Sequence, residues 1–285
     1  MDLKITKCDW GMEYLGDLSS RLRAFSEAGY DGVECFFIDL DPSEFNEQVS
    51  ELKLELNAGM VAPTVEAFRA ELARVLPYNP TIINCHGGRD YYDFDQGKAF
   101  FEECIEIAKG ETDIEVVHET HRRCALYSPW GTRRYLEAIP ELFICADFSH
   151  FTVVSEGNMK LSTAGSPDEN GLMALVPDPE KEAMMDIAIE RTHHIHARVG
   201  DLHRPQCLDP RVGIGLEWTE LYEEWWHRIL DLRRRDGRPF MTVCPEFGPP
   251  PYAPADPVTN EPYSDPWELS FWMMERFRKR FNGNS

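Results

Sequence analysis

The sequence predicts an α/β fold, a (β/α)8 TIM barrel formed as one domain over residues 1–285. Eight apolar, strand-like runs recur along the chain, with helical patterns between them. No GxGxxG turn follows the first run, as a doubly wound open sheet would favour. No stretch rich in Gly, Ser or Pro divides the chain.

The first run, KITKC (4–8), is followed by LSSRLRAFSEAG (18–29), whose apolar residues recur at helical spacing and stop at Gly29. GVECFF (32–37) and LKLELNA (52–58) are the next two runs. VEAFRAELARVL (65–76) reads as a helix, TIINC (81–85) as the fourth strand, and KAFFEECIEIAKG (98–110) as a helix with Gly110 as its C-cap. IEVVH (114–118) and LFICA (142–146) are the fifth and sixth runs. An irregular polar insertion, residues 154–179, follows with GN (157–158), AGSP (164–167) and ENG (169–171). Its length suggests a lid or an added element. HIHARV (194–199) is the seventh run, WTELYEEWWHRILDL (218–232) an amphipathic helix, and FMTVC (240–244) the eighth run. Polar excursions follow the last two runs, at 204–211 and 247–257. The last helix begins at Asp265 as N-cap with Pro266 in its first turn.

The formal charge of −21 repels nucleic-acid phosphates and anionic lipid, so neither partner is expected. The basic cluster Arg233–Arg235 reads as cations on a helix C-terminus. No run of eighteen apolar residues is present, and residues 1–10 lack the apolar stretch of a signal peptide. Eight cysteines stand singly, without a CxxC pair, which fits reduced thiols and a cytoplasmic location.

Function in a barrel gathers at the C-terminal ends of its strands. Five consecutive runs end in NCHGG (84–88), HETHR (118–122), DFSH (147–150), HIHAR (194–198) and PEFG (245–248). Glu119, Asp147 and Glu246 with the imidazole of His196 make a mostly oxygen donor set. Such a set suits one divalent cation: Mn²⁺ is favoured, and Mg²⁺, Co²⁺ and Zn²⁺ are compatible. Three carboxylates packed together without a cation would repel, and one would take up a proton. His194 and His196 share one face of their strand, opposite His193 and Ile195. His196 is the expected ligand because it lies nearer the strand end, and His194 is then a deeper core residue. His86 and His150 are placed against substrate, an extra metal ion or the ligands. Trp10 and Phe36 or Phe37 are placed as an apolar wall for a sugar ring. Ordinary roles stand open beside these. Glu119 could pair with Arg122 or Arg123, Asp147 could be an N-cap, Glu246 a loop acid, and the aromatics plain core.

In this order, VHETHR (117–122), ADFSH (146–150), HIHAR (194–198) and CPEFG (244–248) resemble the xylose isomerase-like TIM-barrel superfamily. That group holds sugar isomerases and epimerases, inosose and dehydroshikimate dehydratases, and endonuclease IV. The resemblance runs from CDWG (8–11) to the last helix. It is most similar to sequences described as sugar phosphate isomerase/epimerase of the AP endonuclease 2-like family. It implies Glu119, Asp147, His196 and Glu246 as metal ligands, with Glu119 and Glu246 also as the proton-transfer pair. It further implies His150 and Arg198 as substrate contacts, and Glu217 or Trp218 at the mouth through GIGLEW (213–218). The implied activity is metal-dependent isomerisation or epimerisation of a sugar or polyol derivative, by proton abstraction beside a carbonyl. A lyase or dehydratase acting on a keto-sugar or keto-cyclitol shares that first step. The implied partner is a small carbohydrate, and a homo-oligomer is compatible with the resemblance. Endonuclease chemistry fits less well, because Asp201 and His203 come too soon after the seventh run. Phosphate binding has a single candidate, HGGR (86–89).

Overall fold

The computed structural model describes residues 1–169 and 173–281. In chain order its strands are β1 (Asp2–Cys8), β2 (Gly32–Cys35), β3 (Glu55–Ala62), β4 (Ile82–Gly87), β5 (Val116–Glu119), β6 (Ile144–Ala146), β7 (Leu161–Ala164), β8 (Ala174–Pro177), β9 (Thr192–His196) and β10 (Phe240–Cys244). All but β7 and β8 are parallel and close into a barrel in the order β1-β10-β9-β6-β5-β4-β3-β2. This is the α/β barrel the sequence predicts.

The helices are α1 (Leu18–Glu27), α2 (Pro42–Leu52), α3 (Val65–Val75), α4 (Phe94–Glu111), α5 (Pro129–Ala138), α6 (Phe148–Ser155), α7 (Pro179–Glu190), α8 (Gly213–Arg235) and α9 (Pro266–Phe281). Side-chain caps on free backbone N–H groups fix the starts of several of them: Asp17 on Ser20, Thr64 on Ala67, Ser128 on Gly131. Two sequence expectations shift for local reasons. Helix α4 begins at Phe94 because Asp93 and Gln96 form a reciprocal capping box, and it runs through Gly110 to a cap at Thr112. The run at 52–58 is divided: Leu52 ends α2, Lys53 turns left-handed at φ 55°, and the strand starts at Glu55.

The expected insertion contains an antiparallel hairpin, with Leu161 opposite Pro177 and Ala164 opposite Ala174. Asn170 and Gly171 of the ENG turn lie outside the described residues. Arg233–Arg235 form the last turn of α8, where Arg233 donates to the Glu190 carbonyl at 2.9 Å. All eight cysteines are buried free thiols. Among the described residues no helix is long and apolar enough to cross a membrane.

The apolar core lies between strands and helices, with Phe25, Phe45, Phe68, Phe101, Trp225, Trp226 and Phe277 buried there. The barrel interior is polar instead. Asn57 donates to Thr6 at 3.2 Å, and Asn84 donates to Glu34 at 3.2 Å and to Glu119 at 2.8 Å. Burying such groups is costly unless they are paired, so an extended buried polar network marks a functional end.

The opposite end of the barrel carries a charge cluster that serves stability. Arg238 donates to Glu115 Oε2 at 2.6 Å, and Glu115 also meets the outward-facing His193. Burial pushes the Glu115 carboxyl up, but His193 and Arg238 outweigh it and hold it at about 2. An unfolded glutamate titrates near 4.3, so this stabilisation is complete above about pH 5 and is lost as pH falls toward 2. Glu115→Gln is expected to lower stability at pH 7 by about 2 kcal/mol and to flatten its fall below pH 5. Denaturant unfolding at pH 7 and pH 3.5 checks both; an unchanged pH slope contradicts the assignment.

Candidate active site

Four strand ends converge. Glu119 ends β5, Asp147 follows β6, His196 ends β9 and Glu246 lies just past β10. One ligand atom from each lies within 4.8 Å of the others, and all four residues are buried. Glu119 does not pair with the neighbouring arginines; its Oε2 accepts from Asn84 at 2.8 Å and meets His86 Nε2 at 2.9 Å. Asp147 takes the N-cap role open to it. Its Oδ1 caps α6 by accepting from the Ser149 N–H at 3.1 Å, and Oδ2 faces Arg198 and His150.

His196 is held from behind by a residue the sequence reading did not single out. Its Nε2 donates to Glu34 Oε1 at 2.7 Å. The other oxygen of Glu34 takes His194 Nε2 at 2.9 Å, and His194 Nδ1 lies 2.7 Å from the Thr242 hydroxyl. With Nε2 donating to Glu34, Nδ1 of His196 faces the cluster, where it would offer its lone pair to a bound cation once its proton leaves. That atom lies 2.9 Å from Glu246 Oε2 and 3.5 Å from Glu119 Oε2. Among the described residues, His196 Nδ1, Glu246 Oε2 and Glu119 Oε1 are buried with no partner in hydrogen-bond geometry. Lone-pair atoms converging in this way, three from different strands, fit a cation of the Mn²⁺, Mg²⁺ or Zn²⁺ type.

The electrostatics agree. Burial opposes ionisation of Glu34, but His196 and His194 outweigh it and hold the carboxyl far below its usual range. Burial likewise pushes Glu119 up, and His86 and His196 pull it well below. Glu246 is lowered by Arg198 and His196 against burial. Asp147 goes the other way: burial raises it to about 6 despite Arg198. Burial lowers His196, but Cys145 and the acids Glu34, Glu119 and Glu246 raise it well above its usual value. Binding a cation at Nδ1 therefore competes with a proton.

Arg198, itself buried, pairs with Asp147, lies 3.3 Å from Glu246 Oε2 and donates to His150 Nε2 at 3.0 Å. Its Nη1 has no hydrogen-bond partner among the described residues. These groups lie beneath a cavity of about 440 Å³ whose lining includes Glu246, Glu34, Arg198, His86, Trp10 and Tyr252. Trp10 packs edge-on against Tyr252 at 5.0 Å, and Phe36 lies 4.7 Å from the His86 ring.

Two expected contacts lie elsewhere. His150 is fully buried on Arg198; the imidazole facing the cavity beside His86 is His121, which stacks on His86 at 4.4 Å and bonds Tyr252 at 3.1 Å. Glu217 is exposed and does not line the cavity. Helix α8 turns Gly215 and Thr219 inward, where Thr219 donates to the Pro210 carbonyl at 2.7 Å, so Glu217 faces away. Trp218 packs on the core. The signal for Glu34 was an acid inside GVEC (32–35), a strand with all four residues buried.

No protein-family model matches the chain, and no curated protein matches it in sequence. Solved structures do match. An AP endonuclease of family 2 from Brucella melitensis is similar at TM-score 0.54 and 14% identity, covering 85% of this chain and 91% of that one. A probable 3-DHS dehydratase, AsbF, involved in petrobactin synthesis in Bacillus anthracis, is similar at TM-score 0.56 and 11% identity, covering 98% and 100%. The structure of an L-ribulose 3-epimerase gives TM-score 0.56 and 11% identity, covering 100% and 99%. The chain shares the (β/α)8 barrel fold of these three structures. Asp201 and His203 stand apart from the buried cluster. Asp201 caps the His203 and Arg204 N–H groups in an exposed turn, as the sequence spacing foretold.

Proposed function

We propose that the protein is a divalent-metal-dependent isomerase or epimerase of a sugar or polyol derivative, working by proton transfer beside a carbonyl. The observation that supports this most is the convergence of unpartnered lone pairs from Glu119, His196 and Glu246, with Asp147 beside them. A divalent ion held by these four residues would act as a Lewis acid on charge developing at a carbonyl oxygen.

The chain's own groups do the rest. Glu246 reaches the cavity, is held ionised by Arg198 and His196, and serves as the base that takes the C–H proton. Glu119, ionised and oriented by Asn84 and His86, is its counterpart on the other side. Arg198 Nη1 and the His86 and His121 rings orient substrate oxygens, and Trp10, Phe36 and Tyr252 exclude water. The same glutamates would serve a lyase if a β-hydroxyl left after the first proton transfer.

The test is a panel of keto-sugars incubated with Mn²⁺-loaded protein in D2O. Expected are one deuterium at the carbon beside the carbonyl and a new isomer at unchanged carbon skeleton. Deuterium with loss of water or an aglycone shows the lyase. No deuterium in any substrate contradicts proton transfer.

A further inference from the structure

The cavity has two chemically distinct arcs. Glu246, Arg198, His86 and His121 form one, above the ligand cluster. Trp10, Phe36, Phe37, Val61 and Tyr252 form the other, rising from strand ends that are neighbours in the barrel, β10, β1, β2 and β3. The apolar arc is built, not incidental. The Trp10 ring lies so close over Gly248 that a Cβ there would sit 2.0 Å from it, and Phe36 covers Gly59 at 2.5 Å in the same sense. At the mouth, Phe37 is 80% exposed and Val61 46%, an apolar surface left open to water beside the cavity.

The charges at the mouth disfavour an anion. Glu13 and Asp39 line it. Of the two arginines in the lining, Arg21 is held by both Asp9 oxygens at 2.6 and 3.1 Å, and Arg198 is held by Asp147. A phosphate or carboxylate at the mouth would meet Glu13 and Asp39, while the unpartnered Nη1 of Arg198 belongs to the polar arc.

We infer that the substrate is an uncharged, two-part molecule: a carbonyl-bearing sugar or polyol end on the polar arc and an apolar, flat group, as in an aryl glycoside of a keto-sugar, over Trp10, Phe36 and Phe37, so that simple aryl glycosides serve as unreactive binding analogues. This rests on the sugar chemistry proposed above and adds the class of its substituent. Covering Phe37 and Val61 removes apolar area from water, and ring-on-ring contact adds to it.

Matched methyl and phenyl β-glycosides of glucose, galactose and xylose, with glucose 6-phosphate beside them, test this by calorimetric titration of the Mn²⁺-loaded full chain. The phenyl member is expected to bind about tenfold tighter than its methyl partner in at least one pair. Phe37→Ala should reduce that ratio to about threefold or less, and Phe37→Trp should keep it, with metal content by mass spectrometry unchanged in both. Equal binding within every pair, no binding by any member, tighter binding of the phosphate, or an unchanged ratio in Phe37→Ala overturns the inference. Wild-type protein that takes up no metal yet keeps the phenyl preference overturns the metal-dependent function and supports the substituent.

Discussion

Glu246→Gln, at saturating metal, is expected to lower kcat on the keto-sugar that wild type turns over by about 10³-fold. The amide keeps an oxygen for a cation but cannot accept the substrate proton. Of the two glutamates Glu119 and Glu246, Glu246 is the one that lines the cavity, and among the described residues its Oε2 has no partner in hydrogen-bond geometry. Arg198 and His196 keep the wild-type carboxyl ionised against burial, so it is ready to accept. The effect should fall on kcat with KM little changed, because the lost interaction belongs to the transition state. Residual activity within about tenfold of wild type would place the base elsewhere.

Glu34→Gln should weaken cation binding by about 10- to 100-fold while leaving the barrel folded. Glu34 accepts from His196 and His194 at once. An amide presents one acceptor instead of two, and its NH2 would face an imidazole N–H. His196 can then move its proton to Nδ1, the atom that faces Glu119 and Glu246. Calorimetric Mn²⁺ titration of metal-stripped wild type and variant measures the change, and circular dichroism controls for folding. Affinities equal within about twofold would show that Glu34 does not set the tautomer.

Much of this was legible before the structure. Strand runs that end in an acid or imidazole are conspicuous, since such groups are rare inside apolar strands, and Glu119, Asp147, His196 and Glu246 do stand together. The period-two rule separated His194 and His196 from His193, which serves the far end of the barrel instead. Glu34 escaped notice because its partners lie 160 and 162 positions away, so a sequence window shows one buried acid without its reason. His121 was passed over for His150 because both sit near a strand end, and only side-chain packing decides which ring faces the cavity. Glu217 was misplaced because its side of α8 depends on where the helix starts, and Val212 makes no side-chain cap there. Gly110 looked like a stop signal, yet it stays within α4 without a positive φ.

The central claim is that one divalent cation is gripped by four strand ends. Crystals soaked in Mn²⁺ and measured at the manganese absorption edge test it most directly. The account predicts one strong anomalous peak within about 2.5 Å of a carboxylate oxygen from each of Glu119, Asp147 and Glu246 and of Nδ1 of His196. Absence of a peak there, with Arg198 still paired to Asp147 at saturating Mn²⁺, would contradict it.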